Sequence, residues 1–376
     1  MSAPPVQPIV IWLGRVGDMI LLSALLEILH RRYGGRCHVI GAGSWPAELY
    51  AVHADVARVS CLHRYTAFLF DPAWWRVLRA LRRSRGDPVY VCEYEPRKLA
   101  RIERLLRLSG TAPERCLFLT RTSCLGARHW VDRLVCFGRL TPPAFEAADY
   151  PWPSPPPRCA PRLEVSAGAR ASCAHWLEAR GWDGRELVLV QPGNRRTMRG
   201  RQLRTVPADD KAWPIERWAA LLRAIHVSRP QALILLCGAP RESRLLEWIA
   251  TATGLPAVAV AELPLQPLLA LCARAHSMIS VDTGPAHAAA ALSLPLVVMF
   301  GANAQEEWLP RSPAGSAVVG LGGPPRSSRL DQISCETVLE AWRALSALGP
   351  PPPAAAEAEP TAAGALNPQA ARATVR

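Results

Sequence analysis

Residues 280–301 read SVDTGPAHAAAALSLPLVVMFG, and this stretch decides the fold class. Its lead-in, residues 278–281, has the short apolar run of a buried strand, and residues 296–300 have the same character. Between them a polar turn, Asp282-Thr283-Gly284, runs into an Ala-rich helix over residues 286–292. Pro285 suits a first helical position, where its missing N–H would have had no partner. Strand, turn, helix and strand at this spacing make one βαβ unit with parallel strands. The helix start offers the N–H groups of Thr283, Gly284 and Ala286 as an anion cradle, with His287 on the same side. A lone histidine in such a helix is commonly structural. Its place directly behind D-T-G-P argues for a ligand-facing role.

The alternation extends outward from that unit. Strand patterns occupy residues 6–13, 37–41, 56–61, 88–93 and 115–119. Helical patterns occupy 18–32, 72–83, 97–108 and 127–140. A Pro cluster, TPPAFEAADYPWPSPPPRCAPR, then breaks the rhythm over residues 141–162 and reads as a linker. Strands at 186–191, 232–237, 257–260, 278–281 and 296–300 follow. Among them lie helices at 167–179, 215–227, 242–253, 265–273 and 286–292, and one closing helix at 335–348. This pattern predicts an α/β protein of two doubly wound, Rossmann-like domains, residues 1–140 and 163–348, with a cleft between the carboxyl ends of their sheets. Residues 349–376 are Pro/Ala-rich without an apolar period and read as a disordered tail.

Composition narrows the class. A chain of 376 residues exceeds what one hydrophobic core sustains, and 49% apolar content excludes wholesale disorder. Lys+Arg number 44 against Asp+Glu 31, yet only Lys98 and Lys211 are lysines. The eleven cysteines form no C-x-x-C pair and fit neither a zinc site nor a disulfide framework, so reduced, buried thiols are expected. The start lacks a basic n-region, and its apolar run is cut by Arg15 and Asp18, which argues against a signal peptide. No stretch of about 18 uncharged apolar residues occurs, so no membrane-spanning helix is expected.

Four turns carry candidate chemistry. Gly14-Arg15-Val16-Gly17-Asp18 follows the first strand, where glycines admit a ligand and the helix start faces it. Asp18 is open to two readings there: a first-turn carboxylate favoured by the helix dipole, or a base held ionised by it. The D-T-G-P-A-H turn is the second. In Asp209-Asp210-Lys211-Ala212-Trp213-Pro214, a rare lysine precedes a helix start, suited either to phosphate as a point charge or to pairing with its acidic neighbours. Gln191-Pro192-Gly193-Asn194 opens a loop with five arginines between 195 and 204, which would clamp phosphate or lie solvated.

Together these residues resemble the lipopolysaccharide heptosyltransferases, glycosyltransferase family nine. The resemblance rests on IVIWLGRVGDMILLSALLEIL, on K-x-W-P-x-x-x-W at Lys211, Trp213, Pro214 and Trp218, and on the D-T-G-x-x-H turn ending in F-G. It spans roughly residues 9–348 and implies a GT-B architecture. It further implies an inverting, metal-independent transfer from a nucleotide sugar, typically ADP-heptose, which is a substrate; no cofactor is implied. Carried over, Asp18 is the general base, while Lys211 and the Thr283-Gly284 amides hold the diphosphate. Asp282 and His287 line the donor pocket, with Gly193, Asn194 and Glu242 on the same side. Family members often carry D-x-Q-G after the fourth strand, where this chain has Cys92-Glu93-Tyr94-Glu95-Pro96-Arg97-Lys98. Arg15, Arg97 and Lys98 are the acceptor-side candidates.

The charge fits an anionic glycolipid acceptor, because between Arg76 and Arg139 fifteen basic residues face six acidic ones. A cytoplasmic protein, peripheral on the inner face of a membrane, is expected. Nucleic acid is the competing partner for a basic chain, but no recognised module or aromatic–basic strand pattern supports it. A nucleotide-binding oxidoreductase would need the missing G-x-G-x-x-G.

Overall fold

The computed structural model describes residues 5–63, 71–154, 157–194, 196–199, 202–204 and 210–347. The expected tail, Asp209, and Arg195 and Arg201 of the Arg-rich loop lie outside the described residues. The first sheet holds β1 (Ile9–Ile11), β2 (Cys37–Ala42), β3 (Val56–Leu62), β4 (Val89–Val91) and β5 (Cys116–Phe118). All its strands are parallel, in the order β3-β2-β1-β4-β5. Helices α1 (Val16–Tyr33), α2 (Trp45–Leu49), α3 (Pro72–Arg83), α4 (Pro96–Ser109) and α5 (Trp130–Arg139) connect or follow these strands. Apolar residues of α3 and α4 cover one face of the sheet, those of α1 and α5 the other. Strand β1 is shorter than the sequence suggested. Pro8 has no N–H for the ladder, and the Leu13 N–H goes instead to the Glu93 carboxylate at 3.1 Å.

The second half opens with α6 (Ala167–Glu178) and β6 (Leu187–Gln191), and a small hairpin of β7 (Met198–Arg199) and β8 (Gln202–Leu203) follows. Next come α7 (Ile215–Ser228), β9 (Leu233–Gly238), α8 (Ser243–Thr253), β10 (Val258–Glu262), α9 (Leu265–Cys272), β11 (Ser277–Val281), α10 (Gly284–Ala291) and β12 (Leu296–Phe300). Short α11 (Gln305–Trp308), β13 (Val318–Gly322) and α12 (Cys335–Ala347) complete it. This sheet is parallel throughout, in the order β10-β9-β6-β11-β12-β13. Strand β13 has no counterpart in the sequence reading, since its two glycines mimic a turn. It survives by pairing at the sheet edge with β12, all of which is buried.

One hydrophobic core runs from α1 and α5 into α6, α9 and α10, so the two halves are joined through helices rather than through their sheets. Helix α1 turns Met19, Ile20, Leu21, Leu22, Leu25, Leu26 and Leu29 inward, which leaves little room for its partner. The Ala-rich sequence of α10 meets that constraint, because methyl side chains let two helix backbones approach closely. The first part of the expected linker is fastened down. Arg32, buried on α1, donates to the carbonyls of Gly138 (2.6 Å), Leu140 (2.9 Å) and Tyr150 (2.7 Å) and to the Thr141 hydroxyl (2.7 Å).

Cys124 and Cys136 form a disulfide, with Cα atoms 5.5 Å apart, which corrects the expectation that every thiol is free. Their spacing matches no motif, and only the turn of chain ahead of α5 brings them together. Among the described residues no helix is long and apolar enough to cross a membrane.

Candidate active site

In open parallel sheets a ligand crevice lies where successive connections leave in opposite directions. Here those points fall between β1 and β4 in one sheet and between β6 and β11 in the other. The chain just beyond β1 is Gly14–Asp18, and beyond β11 it is Asp282–Gly284. These two turns touch. A Cβ built on Gly284 would stand 3.1 Å from Val16 Cγ1 and 3.4 Å from the Gly17 nitrogen. A Cβ on Gly17 would meet the His287 ring at 3.4 Å. The N-termini of α1 and α10 therefore face each other across the gap between the domains, each with unpaired backbone N–H groups.

On the α1 side, the Asp18 carboxylate turns back to accept the Arg15 N–H at 2.6 Å. Gly14 makes this possible: any Cβ there would stand 2.6 Å from Asp18 Cβ. Asp18 thus satisfies the first-turn reading while staying half-buried beside the gap. Arg15 is exposed on the same rim.

On the α10 side, Lys211 donates to the Asp282 carboxylate at 2.6 Å and to its carbonyl at 2.7 Å. Asn303 donates to the same carboxylate oxygen at 2.7 Å. Asp210 accepts the Ala302 N–H at 3.0 Å and pairs with Arg196. The sequence allowed Lys211 to pair with Asp209 or Asp210; the structure gives it Asp282 as a partner, and Asp209 lies outside the described residues. The anion cradle is narrower than expected, because the Ala286 N–H is bonded to the Thr283 carbonyl at 3.1 Å. Thr283 and Gly284 remain as its members. His287 is buried, its Nδ1 lacks a hydrogen-bond partner, and burial lowers its pKa to about 4, so its ring is neutral at pH 7.

Gly193 and Glu242 meet beyond β6 and β9: a Cβ on Gly193 would lie 2.7 Å from Glu242 Oε1, an oxygen with no partner. The other Glu242 oxygen accepts the Ala239 N–H at 2.8 Å, and burial raises the carboxyl's pKa. Asn194 serves its own loop, its Oδ1 accepting the Arg196 N–H at 2.7 Å.

Arg97 and Lys98 lie in the first turn of α4, at the β1/β4 crevice. Lys98 is paired with Glu95 at 2.8 Å and approaches Glu93 at 4.0 Å. Buried Glu93 also accepts the N–H groups of Tyr94 (3.1 Å) and Glu95 (3.0 Å). The segment that departs from D-x-Q-G therefore forms a clamp between β1 and β4.

Sequence reasoning missed the wall that closes the cleft. His129 caps α5 by accepting the Val131 N–H at 3.1 Å on Nδ1, which leaves Nε2 to donate to the Leu309 carbonyl at 2.8 Å. Burial lowers the His129 pKa, in keeping with that neutral tautomer. Asp132 pairs with Arg311 through two bonds of 2.6 and 2.8 Å, and Trp130 stacks on Trp308 at 5.5 Å between centroids. Nothing in the spacing of 129–132 and 308–311 reveals that they meet.

Two parallel doubly wound sheets with their carboxyl ends turned to a shared cleft make the GT-B architecture. Residues 145–331 match the family model described as glycosyltransferase family 9 (heptosyltransferase). The chain belongs to that family. A family 9 glycosyl transferase from Veillonella parvula superposes with a TM-score of 0.70 at 17% identity, covering 93% of this chain and 99% of that one. The ADP-heptose lps heptosyltransferase II of E. coli gives 0.64 at 20% identity, with 91% and 99% covered. E. coli heptosyltransferase WaaC, solved with ADP, gives 0.62 at 19% identity, with 90% and 100% covered. By sequence, no curated protein matches the chain.

Proposed function

We propose that this glycosyltransferase moves a heptose from ADP-heptose to a lipopolysaccharide core acceptor, with inversion and without a metal ion. One observation carries the reading: the starts of α1 and α10 abut, with Asp18 on one and the Lys211–Asp282 pair, the Thr283-Gly284 amides and His287 on the other. Inversion requires a base on one face of the sugar and charge stabilisation at the leaving group on the other. Asp18 takes the proton of the acceptor hydroxyl. Lys211 and the two amides receive the diphosphate charge, and Asp282, His287, Gly193, Asn194 and Glu242 line the donor side. Asp282, a natural candidate for facing a cation, is already claimed by an ammonium and an amide at 2.6 and 2.7 Å, which favours the metal-free route. The relative bound to ADP and another described with ADP-2-deoxy-2-fluoro heptose support the choice of nucleotide.

The acceptor half of the proposal rests on charge. The outer faces of α3 and α4 expose Arg76, Arg79, Arg82, Arg83, Arg104 and Arg107, which suits an anionic leaflet carrying a phosphorylated glycolipid. The decisive experiment uses Asp18→Asn, whose amide oxygen still accepts the Arg15 N–H and so keeps the turn. ADP should stabilise this variant as it does the wild type, while transfer falls by about 10²-fold or more. Turnover near the wild-type rate would remove Asp18 from the role of base, and failure of ADP, UDP and GDP alike to shift the melting of the wild type would remove the transferase assignment itself.

A further inference from the structure

The β1/β4 crevice contains an aromatic ring that the reading above does not use. Tyr94 is 42% exposed, one of five large apolar or aromatic side chains so exposed among the described residues. Its orientation is fixed from behind. Its ring lies 4.9 Å from Trp130 in a tilted stack and 6.5 Å from Trp12 edge to face. From below, the Glu93 carboxylate takes the Tyr94 N–H with one oxygen and the Leu13 N–H with the other. Leu13 directly precedes Gly14, so one buried carboxylate sets both the Asp18 turn and Tyr94. Asp18 and Arg15 both exert their charge on the Tyr94 hydroxyl, and Arg15 and Arg97 both act on neighbouring Glu95. An open aromatic face with its back packed and its edge beside the proposed base is a platform for the apolar face of a sugar ring.

We infer that Tyr94 is the platform on which the acceptor sugar stacks, with Arg15 and Arg97 meeting anionic groups on either side of it. The inference rests on the glycosyl-transfer reading and deepens it. Tyr94 and Arg97 occupy the positions where family members often show D-x-Q-G, and Arg15 reaches the same crevice from the turn after β1. This chain therefore holds its acceptor by stacking and charge, and selects a phosphorylated or carboxylated sugar with one unsubstituted face.

The test compares wild type with Tyr94→Ala and Tyr94→Phe. Deacylated lipopolysaccharide core oligosaccharide is titrated against tryptophan fluorescence, and the acceptor and donor KM values are measured with ADP-heptose. Tyr94→Ala should raise the acceptor KM about ten-fold or more and abolish the fluorescence change, with the donor KM within two-fold. Tyr94→Phe, which keeps the ring, should stay close to wild type. An acceptor KM unchanged in Tyr94→Ala overturns the inference, and so does an oligosaccharide that leaves wild-type fluorescence unaltered. Oligosaccharide binding lost in Tyr94→Ala, in a wild type that ignores every nucleoside diphosphate, would sustain the platform and refute the transferase instead.

Discussion

Replacing Gly284 with alanine separates the two things its position does. The added Cβ would stand 3.1 and 3.2 Å from two Val16 carbons, short of ordinary carbon contact by roughly 0.6 Å. Backbone angles do not forbid the change, since Gly284 is not among the positive-φ glycines. Overpacking of this kind costs about 1–3 kcal/mol, while alanine in place of glycine in a helix returns about 1 kcal/mol. The net loss is roughly 0–2 kcal/mol, a fall in Tm of no more than about 8 °C. Activity should suffer far more, because the side chain wedges the turn of Asp18, the proposed base, away from the Thr283-Gly284 turn proposed to hold phosphate. A misplacement approaching 1 Å lowers kcat by about 10- to 100-fold. Thermal melting and release of nucleoside diphosphate, measured on the same preparation, give both numbers. Gly168→Ala is the control, since its Cβ would meet nothing within 4 Å in α6. It should raise Tm slightly and leave turnover alone. Full activity in Gly284→Ala would refute the claim that the two helix starts form one reaction centre.

Two further outcomes follow from buried groups. His38 lies within the first sheet, its Nδ1 accepting from Arg58 (3.0 Å) and its Nε2 donating to Ser60 (2.9 Å). Burial first, then the Arg58 charge, lowers its pKa to about 3. Between pH 6.5 and that value the unfolded chain binds a proton that the folded one refuses, so stability falls with acidity by about 1.4 kcal/mol per pH unit. Urea titrations from about pH 6 to 5 should show a slope that includes this contribution beside that of buried His287, and His38→Gln should lower the slope by about 1.4 kcal/mol per pH unit; an unchanged slope would exclude His38 as a contributor. In denaturant without reductant, nine of the eleven cysteines should react with a thiol reagent. Cys136→Ser should lower stability by about 2–3 kcal/mol through the loop it opens, and eleven reactive thiols would exclude the disulfide.

Much of this architecture is readable in sequence because parallel strands buried on both faces leave uniform apolar runs, as in Leu296 to Phe300. The same logic failed at β13, where glycines hide an edge strand, and at Leu13, which continues the apolar run but gives its N–H to Glu93 rather than to the ladder. For the site, the scarcity of lysine drew attention to Lys211, yet only coordinates supply its partner, 71 residues away. Asp18 was open to two readings in sequence, and its carboxylate on the Arg15 N–H satisfies the first-turn one. Glu93 was read as a departure from a motif, and its role depends on three N–H groups, one of them 80 residues distant. His129 and Trp130 left no trace, because their partners belong to the other domain and contact across a cleft has no sequence period.

The Trp130–Trp308 pair also gives the molecule a ruler. Two indoles 5.5 Å apart, inclined at 39°, couple their excited states strongly, and the splitting decays steeply with separation. Because one indole belongs to each domain, the part of the near-ultraviolet circular dichroism that Trp308→Phe removes reports their distance without any label. A cleft that opens when the nucleotide leaves would remove that part and spare the within-domain pairs Trp12–Trp130 and Trp213–Trp218, and one that stays shut would preserve it.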